Sequence, residues 1–103
     1  AIEISYSGTH RSDALDAMVR ERVLHENARF SERLTRIEAH LPDSNAAKSG
    51  ARDKSVVLEA RPRGMDPIVI KHEGSDLYEI VREASRKLER ALARKFERAD
   101  GTS

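Results

Sequence analysis

The chain has 103 residues, a length that supports one small core but not two. Charged residues make up 36% of it and aromatics only 4%, so the core must be built from aliphatic side chains. With a net charge of +1, no cysteine and no apolar run near the roughly 20 residues of a membrane span, composition excludes disulfides, thiolate chemistry and a spanning helix.

The N-terminus carries no basic-then-hydrophobic leader pattern, so a reducing, cytoplasmic setting is the expectation. Ile2, Ile4 and Tyr6 alternate with Glu3, Ser5 and Ser7, the two-residue period of a half-buried strand that Gly8 ends. Ser12 or Asp13 then supplies a cap. Leu15, Met18, Val19, Val23 and Phe30 mark the inner side of a first helix that should end between Phe30 and Leu34, with Glu26 interrupting the stripe. Ile37, Ala39 and Leu41 alternate with Arg36, Glu38 and His40 as a second strand. The stretch from Pro42 to Asp53 is polar, rich in small residues and aperiodic, and reads as a surface loop. A third strand follows around Ser55 to Arg61, with Val56, Leu58 and Ala60 inward. Pro62 to Pro67 connects it to a fourth strand, Ile68 to His72. Gly74 and Ser75 then turn into the last helix, Asp76 to Arg98, with Asp76 as cap and Glu79 completing a capping-box-like pair.

The order β-α-β-β-β-α predicts an α+β domain: two helices packed on one face of a four-stranded mixed sheet. Strands one and two, joined through a helix, should be parallel neighbours, and strands two to four an antiparallel meander. One domain over residues 1–99 with a short tail at 100–103 is the expected division. The open sheet face should carry Glu3, Ser5, Arg36, Glu38, His40, Val57, Glu59, Arg61, Val69 and Lys71.

Nothing in the chain points to catalysis. His10, His25, His40 and His72 lie at least fifteen residues apart and show no metal-ligand spacing. The carboxylates are interleaved with Arg and Lys on helix faces, which suits ion pairs better than an acid/base pair. No nucleophile motif or phosphate-cradling glycine loop is present, so neither a catalytic residue, a metal nor a cofactor is expected.

The last helix is different. Leu77, Ile80, Val81, Ala84, Leu88, Ala91, Leu92 and Phe96 form a buried stripe, while Arg82, Arg86, Arg90 and Arg94 climb in four-residue steps with Lys87, Lys95 and Arg98 beside them. Seven basic residues stand against Glu83, Glu89 and Glu97 in this stretch, whereas the first helix region is slightly negative. On charge alone the same pattern fits a solvated face. As a nucleic-acid element it would act through phosphates and shape. Tyr6, Phe30, Tyr78 and Phe96 fall at or near apolar positions and leave no base-stacking platform, and no motif for DNA sequence readout is present.

The segment HEGSDLYEIVREASRKLERALARKF resembles the closing strand-turn-helix of the ribosome hibernation-promoting factor family, also known as sigma-54 modulation protein, ribosome-associated inhibitor or protein Y. The family pattern falls here on Gly74, Asp76, Tyr78, Lys87, Leu88, Arg90, Leu92 and Arg94. The resemblance spans essentially the whole chain and implies a layout like that of the double-stranded-RNA-binding domain. It implies a non-catalytic translation inhibitor that occupies the messenger and transfer RNA channel of the small ribosomal subunit in stress or stationary phase. Lys87, Arg90 and Arg94 would then contact ribosomal RNA phosphates. Arg82, Arg86, Lys95 and Arg98 join them on charge and helical phase, and Arg22 at a first-helix position often basic in the family. Asp76 would cap and Tyr78 would pack. The chain carries Val23-Leu24-His25-Glu26-Asn27 where the family has a Lys-Leu-rich stretch, and its loops at 42–53 and 62–67 are longer than in compact members. Ending at Ser103, it resembles the short form, expected to be a monomer when free, with the small subunit as partner and no membrane. The alternative is a protein-interaction or transcription-related module without ribosome binding.

Overall fold

The computed structural model describes residues 3–7 (backbone), 13–41 and 54–101. Along the chain run β1 (Glu3–Ser7), α1 (Asp13–Glu26), a 3-10 segment (Ala28–Arg33), β2 (Leu34–His40), β3 (Lys54–Pro62), β4 (Ile68–Gly74) and α2 (Leu77–Gly101). The Gly8 turn, the Ser12 cap, His10 and the 42–53 loop lie outside the described residues. The molecule is an α+β fold whose antiparallel meander is β2-β3-β4, with β1 running parallel to β2 to give the sheet order β1-β2-β3-β4.

Alternation decides which side of the meander is buried. Ile37 and Ala39 of β2 with Leu41 just beyond it, and Val56, Leu58 and Ala60 of β3, point inward, joined by the partly buried Ile68 and Ile70 of β4. Val19 and Val23 of α1, Phe30, and the α2 stripe Ile80, Val81, Ala84, Leu88, Leu92 and Phe96 complete the same core. α2 lies across β3 and β4 with α1 alongside it. The outer face is polar. Cross-strand register sets Arg36 opposite Arg61 and Glu38 opposite Glu59. Those like charges are relieved by Arg36–Glu38 at 3.2 Å and Arg61–Glu59 at 3.0 Å.

Three local features depart from the sequence pattern. The first helix does not continue to Phe30. α1 stops at Glu26, and the chain goes on as a 3-10 segment through Arg33. Asn27 makes the joint. Fully buried, it donates from its amide nitrogen to the Val23 carbonyl at 3.0 Å and the Ser85 carbonyl at 3.4 Å, while Phe30 N–H bonds the Asn27 carbonyl. A side chain that hydrogen-bonds backbone carbonyls competes with regular helix, so an Asn here favours a break.

The second departure is at the opening of α2. Asp76 caps as expected, its Oδ1 accepting Tyr78 N–H at 2.9 Å. Glu79 does not complete a capping box but takes Arg82 at 2.7 Å. Third, α2 runs past Arg98 through Asp100 to Gly101, where the sequence pattern places the start of a tail. Arg33 holds that last turn by two parallel hydrogen bonds to Asp100, at 2.6 and 3.0 Å. Gly74 earns its place by absence of bulk: a Cβ there would sit 2.6 Å from Ile80 Cγ2, so only glycine lets β4 approach the first turn of α2 this closely.

Candidate nucleic-acid interface on the second helix

Because α2 buries one face, its two flanks meet different neighbours. Lys87, Ala91, Arg94 and Arg98 follow at intervals of four, three and four, which keeps them on one stripe. β4 lies beneath that stripe. Lys87 Nζ reaches His72 Nδ1 on β4 at 2.9 Å. An ammonium only donates, so in this contact Nδ1 is the acceptor. Farther along, Ile68 at the start of β4 and Ala91, Arg94, Lys95 and Arg98 line a shallow hollow of about 220 Å³. Arg94 and Arg98 also border a neighbouring one of about 340 Å³ with Glu97 and Gly101.

Arg90, Arg94, Lys95 and Arg98 have no hydrogen bond or ion pair with any described residue. Arg90, Arg94 and Arg98 are exposed, and Lys95 is half-buried beside Ile68. Cations that spend nothing on internal carboxylates keep their full field for an external anion.

The other flank reverses this arrangement. Glu89, Ala93 and Asp100 face the 3-10 segment. Arg29 reaches Glu89 at 2.8 Å and lies over the Phe30 ring at 4.5 Å from its centroid. Arg33 grips Asp100 and lies over Phe96 at 3.9 Å. The two rings meet at a tilt, their centroids 5.2 Å apart and their planes at 52°. The hydrogen bond from Arg33 pulls the Asp100 carboxyl below its ordinary range, and the same bond raises the Arg33 guanidinium.

The eight cations singled out by sequence therefore fall into two groups. Lys87, Arg90, Arg94, Lys95 and Arg98 gather on the β4 flank and the adjoining crest. Arg82 is half-buried and held by Glu79, while Arg86 pairs with Glu83 at 3.6 Å. Arg22 stands on α1, against the opposite flank of α2, and pairs with Glu26 at 3.6 Å.

Tyr78 does not pack. Its side chain lies outside the core with the residue 61% exposed, because the helix cap turns it to solvent while Ile80 and Val81 take the inward positions. Sequence reasoning also missed the Arg29–Glu89 and Arg33–Asp100 pairs. Glu89 and Asp100 are eleven residues apart, close to three helical turns, and that shared phase was the available signal. Among the described residues no group of three or more His, Asp or Glu side chains converges to hold a metal ion. Nor, among the described residues, is any helix long and apolar enough to cross a membrane.

Comparison with known proteins agrees with this architecture. A ribosomal subunit interface protein from Coxiella burnetii superposes with a TM-score of 0.75 at 20% identity, covering 91% of this chain and 97% of that one. The N-terminal domain of Thermus thermophilus Protein Y superposes with a TM-score of 0.68 at 20% identity, covering 90% and 96%. At that identity the two structures speak for the fold. No curated protein matches the sequence. The family description "Sigma 54 modulation protein / S30EA ribosomal protein" matches residues 2–100. With nearly the whole sequence inside that match, and the fold of two of its structural relatives around it, the chain belongs to the sigma 54 modulation protein / S30EA ribosomal protein family.

Proposed function

We propose that this protein is a non-catalytic, cytoplasmic ribosome-binding factor. It docks on the small subunit through the β4 flank of α2 and occupies the channel of messenger and transfer RNA during stress or stationary phase, silencing translation. The observation that carries the reading is the row Arg90, Arg94, Lys95 and Arg98, without a partner among the described residues, with Lys87 in line, on a helix otherwise laced with ion pairs. Phosphate oxygens are the acceptors such a row suits, and charge spread along a helix follows a backbone rather than a base sequence. Arg22, Arg82 and Arg86, already matched with carboxylates, contribute less. Family membership and the ribosomal subunit interface protein among its structural relatives support the partner.

The test is co-sedimentation of the monomeric protein with isolated small subunits at physiological salt. Arg90→Glu/Arg94→Glu/Arg98→Glu should abolish pelleting while far-UV circular dichroism stays unchanged, because none of the three side chains belongs to the core. Undiminished pelleting of the triple variant would remove this flank as the interface. Recovery of a protein partner that survives nuclease treatment, with no subunit binding, would favour a protein-interaction module instead.

A further inference from the structure

α2 carries cations on both sides, and the 3-10 segment adds Arg29 and Arg33 next to one of them. On that side each guanidinium is occupied: Arg29 by Glu89 at 2.8 Å, and Arg33 by both oxygens of Asp100 at 2.6 and 3.0 Å. A carboxylate engaged in this two-point manner uses the same paired N–H donors that a phosphodiester would take. Glu97 adds a third carboxylate to the Arg29–Arg33 surface, where it lines a hollow of about 320 Å³ with Arg29, Phe30, Arg33, Phe96 and Asp100. Two cations matched by two carboxylates, with Glu97 on the rim shared with the Arg94–Arg98 hollow, leave that surface with little attraction for a polyanion. The β4 flank keeps Arg90, Arg94, Lys95 and Arg98 unmatched among the described residues.

We propose that Glu89 and Asp100 determine how this protein docks: as internal stand-ins for phosphate they close the Arg29–Arg33 surface to RNA and leave one face of α2 for it. The inference rests on the reading of the β4 flank as the RNA-binding face, and it adds the residues that forbid the competing orientation. The rings of Phe30 and Phe96 beneath the guanidiniums favour the occupied geometry, since each Arg has a ring below it and a carboxylate at its end. A second RNA-binding face would let the domain bridge two strands or dock reversed. Two carboxylates prevent it.

The experiment measures binding of a polyuridylate oligomer as a function of salt for the full chain and three double variants. Glu89→Gln/Asp100→Asn frees Arg29 and Arg33, so it should bind more tightly. Its log-affinity against log-salt slope should steepen by about 1.4, for two added phosphate contacts at about 0.7 each on a single strand. Arg29→Gln/Arg33→Gln should leave the wild-type slope unchanged, because those groups are already taken. Asp13→Asn/Glu21→Gln changes net charge equally at two exposed carboxylates of α1, outside the residues that line this surface, and should not steepen the slope. An unchanged slope in Glu89→Gln/Asp100→Asn overturns the proposal. So does an equal gain in Asp13→Asn/Glu21→Gln, which would reduce the effect to net charge. If the wild-type protein fails to bind small subunits, the functional reading falls, yet the difference between these variants on polyuridylate still decides this inference.

Discussion

Asn27 and Ser85 face each other at the only point where α1, the 3-10 segment and α2 share buried polar atoms among the described residues, and their roles are unequal. The Asn27 amide bridges two backbone carbonyls from different elements, whereas the Ser85 hydroxyl only donates back to Val81 within its own helix at 2.8 Å. Removing the buried amide that ties the two elements forfeits two hydrogen bonds, at a cost of about 1–3 kcal/mol, while a helix back-bond contributes little. Urea unfolding should therefore show Asn27→Ala destabilised by about that amount and Ser85→Ala within about 0.5 kcal/mol of wild type. Tyr78→Ala should be equally silent in the same assay, since the ring is mostly in solvent. A loss comparable to that of a core aromatic would put Tyr78 back inside. Asp100 gives a signature in pH. Its carboxyl titrates lower in the folded chain than in the unfolded one because Arg33 hydrogen-bonds its charged form. The contribution is therefore fully present above the unfolded value of about 3.9 and disappears as pH falls through the lower folded value. Asp100→Asn should flatten that acid-side part of the stability curve and leave the neutral-to-alkaline part parallel to wild type.

Within α2, the buried stripe and the proposed binding flank are separate faces and should be separable by mutation. Leu88 is fully buried at the centre of the stripe, so Leu88→Ala should cost about 2–5 kcal/mol through lost burial and the cavity left behind. Asp76→Ala removes the cap on Tyr78 N–H and should cost about 1 kcal/mol by urea titration, without changing ribosome binding at a protein concentration that keeps the variant folded. The helix was the most legible part of the sequence because twenty-odd residues of strict apolar phase leave few alternatives. Its ends were less so: Asp76 was visible as a cap, but the last turn depends on Arg33, 67 positions away, and no local pattern reports such a partner. The same distance hides the end of α1, where the Asn27 joint is stabilised by a carbonyl 58 residues on. The site was legible to a similar depth. Spacing identified the cations of α2, but dividing them into paired and unpaired needed the neighbours that β4 and the 3-10 segment bring.

For the molecule as a whole, the alternation of β2, β3 and β4 was enough to fix which face is covered, since a two-residue period leaves one choice once the helices are counted. Binding through the five cations of the β4 flank and crest predicts a strong salt dependence. With about 0.7 counterions released per contact, the log-affinity for small subunits should fall against log salt with a slope of about −3.5. Measuring affinity across a potassium chloride series checks this, and an affinity indifferent to salt would rule out phosphate contacts as its basis. The net charge of +1 then takes on a meaning of its own. Beyond the screening length of about 8 Å in physiological salt, such a molecule has almost no monopole and does not accumulate on every polyanion it passes. Closer in, its lopsided cations make it a permanent dipole. A steep negative potential would exert a torque on it, turning the β4 side forward before any contact forms, so that encounters would begin in the orientation of the proposed docking.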